Sequence, residues 1–433
     1  MTDQTAKSFV MKVDKPLTFE ANEQAYGRLF WWAVGIFLAS RLALLFIEVS
    51  PTSDSAWYFD RALELLKTGR YAENGISTAY WPVGYPGFLA GVLYLFGPTV
   101  IAGKVANLIL SLVTLILLYR YCLSNFPRSS VANLSVLIYA VYPNNMGYSV
   151  SLNTEPLFTA LLLGSIVIVE SKLTLLRFVF VGVLLGLATL VKAQTLLLGP
   201  VLVFLLALDK WPVKSIRTVA ERTGIGIIVM LAVISPWTVR NQNILGAPVP
   251  ISTNGGMSLL AGNNPSMTTR LDQDYNDTDP IFGLANFSVK DQVAADKRAR
   301  EAAFEWIVTH PDKFAALMPK KIFRLWVPDG ESEWNFQAGF KNYEQWRLWF
   351  RSIRVVNQVI YLAVLCGMVY GIFLHVTFNV PRSLVTPMLL LFFTALSMVF
   401  SGQSRYHAPL MPFVIAFASS AIIQILSKRK PET

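Results

Sequence analysis

The chain has 433 residues, of which 54% are hydrophobic and only 15% charged. Soluble domains carry charge on nearer a quarter of their residues, so a soluble enzyme is excluded. The apolar runs are continuous rather than alternating, which excludes a transmembrane β-barrel, and the net charge of +10 is met by basic loops facing anionic lipid rather than by nucleic acid.

Residues 1–28 form a polar tail of mixed charge, and the first apolar run lies too deep in the chain and is too long for a cleaved signal peptide. Ten candidate spans follow, at 29–49, 100–121, 130–146, 155–171, 175–191, 194–209, 223–239, 355–376, 384–401 and 408–427, near the length a bilayer-crossing helix needs. With the N-terminus placed in the cytoplasm, the inner connections and tails hold 16 Lys and Arg against 5 in the short outer loops. Both termini are therefore expected inside. The expected organisation is a tail 1–28, a membrane module 29–239 containing an outer loop 50–99, a large extracytoplasmic loop 240–354, C-terminal membrane helices 355–427 and a tail 428–433. Cys122 and Cys366 fall in or beside apolar segments and read as membrane-buried thiols.

The first outer loop has two parts. In SDSAWYFDRALELLKTGRY (53–71), Ala56, Phe59, Leu63 and Leu66 recur at helical spacing, with Asp60, Arg61, Glu64 and Lys67 opposite. This predicts an interfacial helix ended by Gly69. TAYWPVGYPGF (78–88) sets Tyr80, Trp81, Tyr85 and Phe88 among two prolines and two glycines. It predicts a bent aromatic lip at the headgroup level, either an anchoring belt or a seat for an amphiphile. The apolar stretch that follows it is too short to span.

Charges gather at the outer boundary. Asp54 follows the first span, Glu155 opens the fourth, Lys192 lies between the fifth and sixth, Arg240 follows the seventh, and Arg405 and His407 precede the tenth. A charge beside hydrocarbon is costly and is usually paired or functional. Two acids, three bases and a histidine at one level predict a shared site in which cations hold an anionic head group beside a carboxylate base. Asp54 has an alternative role as cap of the helix behind it.

Other signals are weaker. DQDYNDTD (272–279) has acids at EF-hand-like spacing, but Asp277 stands where glycine is needed and Gly283 where glutamate is needed, so it reads as a solvated turn. DGESEWNF (329–336), with Asp329, Glu331 and Glu333 near a tryptophan, reads as a surface loop, with contact to a sugar acceptor or a cation as the alternative, and STNGGMSLLAGNNP (252–265) reads as turn chemistry. Gly182 and Gly186 predict close packing of the fifth span against a neighbour. His310 and His375 read as structural, and no His/Cys group has zinc spacing.

SDSAWYF, AYWPVGYPGFLAGVLYLFG, LNTEPLF, GLATLVKAQTLLLGPVL, SPWTVRNQNILGAPVPISTNGGMSLLAGNNP and RYHAPLMP occur in that order. Together they resemble the polyprenyl-phosphate-dependent glycosyltransferases of the GT-C fold, in the branch of bacterial relatives of the dolichyl-phosphate-mannose protein mannosyltransferases and the lipid A aminoarabinose transferase. The resemblance covers residues 29 to about 270 and about 384 to 415. It implies an all-α integral membrane protein of the plasma (inner) membrane, with a catalytic module in its first half and its site facing the periplasm or cell exterior. It implies transfer of a sugar from a polyprenyl-phosphate donor to a hydroxyl of a lipid or envelope-glycan acceptor, with inversion and with Asp54 activating the acceptor. Lys192, Arg405, His407 and Arg240 are then assigned to the donor phosphate, and Glu73, Tyr80, Trp81, Tyr85, Glu155 and Tyr406 to orienting substrate. No cofactor is assigned, and a divalent cation stays open. The protein mannosyltransferases carry a second acid directly after the first; Ser55 stands there in this chain, which counts against a protein acceptor. The rival reading is a flippase for a lipid-linked sugar.

Overall fold

The computed structural model describes residues 26–170, 172–208, 215–268, 283, 285–376 and 381–428. The acidic turn 272–279, the tail residues 1–25 and 429–433 and the inner charges Lys210 and Lys214 lie outside the described residues. In chain order the main helices are α1 (Arg28–Leu45), α2 (Ser53–Thr68), α3 (Gly84–Phe96), α4 (Val100–Asn125), α5 (Ser129–Val141), α6 (Pro143–Ser149), α7 (Glu155–Val167), α8 (Leu175–Val191) and α9 (Thr195–Ala207). They continue with α10 (Ile216–Leu245), α11 (Gly255–Gly262), α12 (Gln292–Thr309), α13 (Pro311–Trp326), α14 (Glu333–Gly339), α15 (Tyr343–His375), α16 (Val385–Val399) and α17 (Met411–Lys428).

Every expected span contains an apolar helix. By length and composition α1, α4, α10, α15 and the run Ser404–Lys428 that ends in α17 suffice to cross a membrane. Helices α5, α7, α8, α9 and α16 are apolar but have 13–17 residues, roughly 20–26 Å at 1.5 Å per residue. α10 and α15 begin well before the expected starts at 223 and 355.

The span expected at 130–146 is broken. Pro143 has no N–H for the carbonyl of Tyr139, and the N–H of Asn144 donates to Asn357 Oδ1 at 3.0 Å rather than back along the helix. The two carbonyls left over, Tyr139 and Ala140, accept from the guanidinium of Arg41 on α1. Arg41 is fully buried, stacked on Phe37 at 4.0 Å, and so answers the helix break with its charge.

In lipid, helices associate by close packing rather than by hydrophobic burial, and α8 and α10 depend on glycine for it. A Cβ at Gly182 would lie 2.5 Å from the Gly226 carbonyl oxygen, and one at Gly186 would lie 2.7 Å from Val233 Cβ. The small-residue pair packs as its spacing predicts.

The first loop differs from expectation in two ways. α2 buries Ser55, Tyr58, Arg61 and Ala62, while Ala56, Phe59, Leu63 and Leu66 are half-buried. The helix is rotated because Tyr58 packs edge-on against Trp81 and Tyr85, at 6.4 and 5.4 Å, and Arg61 turns in toward Glu64 and Glu73. Gly69 does end α2, in the left-handed region at φ 67°. Second, Gly84–Phe88 open α3 instead of forming a lip; a first turn tolerates Pro86. A Cβ on Gly84 would lie 2.5 Å from the Leu190 backbone, so α3 rests directly on the end of α8. Between α2 and α3 a short hairpin pairs Ala72–Glu73 with Ile76–Ser77. Its Asn74-Gly75 turn, with φ of 53° and 78°, is the two-residue type that favours this dipeptide.

The described residues of the stretch between α10 and α15 pack back against the membrane helices. Ser50 N–H donates to the Gly339 carbonyl at 3.0 Å, and a Cβ on Gly339 would meet Ser50 O at 2.2 Å. Around this clamp Phe336 and Phe350 pack with Leu44 and Val49. A second clamp holds the segment between α16 and α17. A Cβ on Gly262 would overlap the Phe400 carbonyl, and one on Gly402 would lie 2.0 Å from the Lys321 carbonyl. Gly402→Ala is therefore expected to lower stability by about 1–3 kcal/mol, whereas Gly35→Ala, with open space around it, should not. Thermal unfolding of the two variants in detergent checks this.

Candidate active site

Asp54 is the second residue of α2, but it does not cap it. Thr52 is the cap residue and its N–H donates to Ser55 Oγ at 3.1 Å. The Asp54 carboxylate instead reaches the turn ahead of α17, where Arg405 Nη1 donates to Oδ2 at 2.8 Å. Just before it Ser53 sits at φ 46°, a left-handed conformation that costs a non-glycine residue roughly 1–2 kcal/mol.

Arg405 is held through its main chain. Glu331 Oε2 accepts from the Arg405 N–H at 2.8 Å and from Ser404 Oγ at 2.6 Å. The guanidinium lies 5.6 Å from the centre of the Tyr406 ring, and its buried Nε has no hydrogen-bond partner. Glu155, the first residue of α7, also acts electrostatically on Arg405. Glu155 is 6% exposed and pairs with Lys192 Nζ at 3.0 Å. Lys192 is the residue that ends α8, beside the contact with Gly84. A small cavity of ≈ 20 Å³ adjoins the pair, bordered among others by Ser111, Asn145, Tyr148, Glu155 and Thr159. The Tyr148 hydroxyl and Asn145 amide nitrogen are buried without a partner. Burial first, then the Asp54 carboxylate, push Tyr58 well above the ordinary tyrosine value, so it lines the site as a phenol. Asp54, Arg405, Glu155 and Lys192, separated by up to 351 positions in the chain, thus form one cluster of charge.

DGESEWNF is not a surface loop. Asp329 is 3% exposed, and its carboxylate accepts from the hydroxyl of Tyr142, the amides of Asn144 and Asn357 and His407 Nε2. Burial alone would raise the Asp329 carboxyl; hydrogen bonding and charge from His407, with further bonds from Tyr142 and Asn357, hold it below its ordinary value. His407 is fully buried between the rings of Trp326 and Tyr361. Its Nδ1 faces the Leu325 carbonyl and its Nε2 faces Asp329 Oδ1 at 3.0 Å. With both nitrogens engaged inside the protein, His407 has no atom left for a phosphate, contrary to the expectation; it lies two residues from Arg405.

Other expected residues lie in supporting contacts. Arg240 gives Nη1 to the Thr78 carbonyl and Nη2 to the Tyr71 carbonyl, each at 2.8 Å, and stacks on Trp237; it pins the first loop to α10 and is spent on backbone. Glu73 lies 3.8 Å from Arg61, where it braces the hairpin. Tyr85 is 1% exposed and its hydroxyl accepts from Asn107, so it is a core residue. Trp81 is half-buried among Trp57, Tyr58 and Tyr80, and Tyr80 packs on Phe287. Tyr406 does touch Arg405. Among the described residues no three His, Cys, Asp or Glu side chains come together as a cation's ligand set.

The family model of the dolichyl-phosphate-mannose-protein mannosyltransferases matches residues 81–239, a minority of the chain. No curated protein matches it significantly. Among solved structures, the oligosaccharyltransferase AglB of Archaeoglobus fulgidus, in complex with an inhibitory peptide and a dolichol-phosphate, aligns at TM-score 0.50 and 11% identity, over 92% of this chain and 51% of its own. The same organism's oligosaccharyltransferase tethered to an acceptor peptide gives TM-score 0.50 and 10% identity, over 92% and 50%. ArnT from Cupriavidus metallidurans bound to undecaprenyl phosphate gives 0.42 and 13%, over 94% and 82%. The chain spans about half the length of the two oligosaccharyltransferase structures. Its fold is that of the GT-C membrane glycosyltransferases.

Removing the acceptor from the buried network is predicted to be costly. Asp329→Ala strands its donors and should cost about 3–5 kcal/mol. Asp54→Asn, at a half-exposed pair, should cost at most about 1 kcal/mol. Melting curves of the two purified variants make the comparison.

Proposed function

We propose that the protein is a membrane glycosyltransferase that moves one sugar from a polyprenyl-phosphate carrier to an acceptor hydroxyl. The observation that carries this reading is the Asp54–Arg405 pair with Glu155–Lys192 beside it, at one end of the bundle. A carboxylate next to two cations suits a reaction that takes a proton from an alcohol and gives up a phosphate. The partial match to the mannosyltransferase model and the shared fold support the same reading.

Arg405 and Lys192 bind the donor phosphate, Arg405 through its planar fork and Lys192 as a point charge. Asp54 takes the proton of the acceptor hydroxyl. The hydroxyl oxygen bonds to the anomeric carbon as the bond from that carbon to the phosphate oxygen breaks. The electron pair and negative charge leave on the polyprenyl phosphate, where the cations stabilise them. Attack opposite the leaving phosphate inverts the configuration. His407, Asp329 and Glu331 keep Arg405 in place. Ser55, where the mannosyltransferases carry a second acid, favours a lipid or envelope-glycan acceptor over a protein. The flippase reading would want the charges midway along the bundle; the two pairs sit together at one end.

Asp54→Asn should fold and bind donor but lose about 10²–10⁴-fold in turnover, measured with radiolabelled donor. Activity within a few-fold of the parent would place the base elsewhere. Arg405→Ala and Lys192→Ala should each weaken donor binding, by about 1.5–3 kcal/mol per lost hydrogen bond.

The site is proposed to face the periplasm or cell exterior. In a Cys366→Ser background, a membrane-impermeant maleimide should label Asn74→Cys and Asn342→Cys in intact cells and spare Ser130→Cys. The reverse pattern would turn the protein over.

A further inference from the structure

Arg405, assigned above to the donor phosphate, already holds an anion. Its Nη1 lies 2.8 Å from Asp54 Oδ2, the oxygen-bearing group assigned as base. Lys192 likewise holds Glu155 at 3.0 Å. The two pairs differ in exposure. The side chains of Arg405 and Asp54 are 29% and 27% exposed, those of Lys192 and Glu155 only 11% and 8%. Separating a buried pair is far costlier than separating a half-exposed one, so an arriving anion opens the Asp54–Arg405 pair first. Three further features fit an exchange there. The Arg405 main chain is fixed by Glu331, so its side chain can turn without moving the turn that carries it. Its buried Nε lacks a partner and gives an incoming oxygen a second donor. A sugar on a polyprenyl phosphate is a phosphodiester with one negative charge, the same charge as the carboxylate it displaces, and both anions match the guanidinium fork.

We propose that Asp54 holds the phosphate's place on Arg405 in the free protein, and that donor binding exchanges carboxylate for phosphodiester and so releases Asp54 for the acceptor hydroxyl. The proposal rests on the glycosyltransferase reading and adds the order of events. Donor binds first, because the exchange frees the Asp54 carboxylate to turn from Arg405 toward the acceptor hydroxyl. The departing polyprenyl phosphate monoester carries more charge than the donor, so it holds Arg405 more firmly than the donor does and leaves slowly unless Asp54 competes it off. Once it has passed the acceptor's proton to water, Asp54 acts a second time, as the carboxylate that clears the site.

The test uses the purified full chain in detergent, with farnesyl phosphate as probe and farnesol as the uncharged control, by titration calorimetry. Asp54→Asn removes the competing carboxylate at nearly constant shape and is expected to bind farnesyl phosphate about three- to tenfold tighter than the parent. Asp54→Ala should move the same way. Asp60→Asn removes the same charge from the exposed side of α2 and should leave affinity unchanged. A parent that prefers farnesyl phosphate to farnesol, with unchanged or weaker binding in both Asp54 variants, overturns the exchange alone. Equal tightening in Asp60→Asn also overturns it, since a general field effect would then be enough. A parent with no preference for the phosphate overturns the donor-site reading, and the exchange with it.

Discussion

A carboxylate shut away from water stays ionised only if it collects several donors, and Asp329 collects them from separate parts of the chain. Tyr142 and Asn144 flank the break between α5 and α6, Asn357 comes from α15, and His407 comes from the turn ahead of α17. Satisfying one buried group therefore fixes three elements against each other. Two residues further on, Glu331 repeats the arrangement with the main chain of Arg405 and the hydroxyl of Ser404. The turn 404–407 is thus tied at both ends to the segment 329–331, and the direction of the Arg405 side chain follows from those ties.

Asp54 is brought to Arg405 by a different set of contacts. Its approach depends on the close passage of Ser50 and Gly339, which a Cβ would forbid, and on an aromatic group in which Trp57 and Tyr58 of α2 meet Trp81 and Tyr85. Lys192 is placed in turn by Gly84, where α3 rests on the last turn of α8. Asp54, Lys192 and Arg405 each stand within a few residues of a point where two backbones touch. Side chains that need a set separation in a medium with little screening are held here by main chain, which moves less than long side chains do. The phosphate chemistry proposed for the cluster needs that rigidity, because Arg405 must exchange partners while its own backbone stays still.

The aromatic run TAYWPVGYPGF shows where composition informs and where it misleads. Four rings and four helix breakers do mark a special surface. The surface turned out to be the back of α2 and the end of α8, and the prolines and glycines permit close packing and a helix start rather than a lip. The hairpin turn at Asn74-Gly75 is encoded by the dipeptide alone. Arg41 was invisible for a physical reason: an arginine in a long apolar run reads as part of a span, and its partners, two carbonyls freed by Pro143, lie about a hundred residues away.

What this sequence determined by itself is what depends on local composition. Continuous apolar runs marked the helices and their order, glycine spacing marked α8 as a closely packed helix without naming its neighbour, and the placement of Asp54, Glu155, Lys192 and Arg405 beside the spans marked a common level, because charges next to hydrocarbon are rare and costly. Only the tertiary structure decided which charges touch. It paired Arg405 with Asp54 and Lys192 with Glu155, sent Arg240 to backbone carbonyls, buried His407, and turned an apparent surface loop into the centre of the hydrogen-bond network. These outcomes depend on distances between residues tens to hundreds of positions apart, and no local pattern encodes such distances; they are set by how helices of given length pack and by which buried polar groups must find one another.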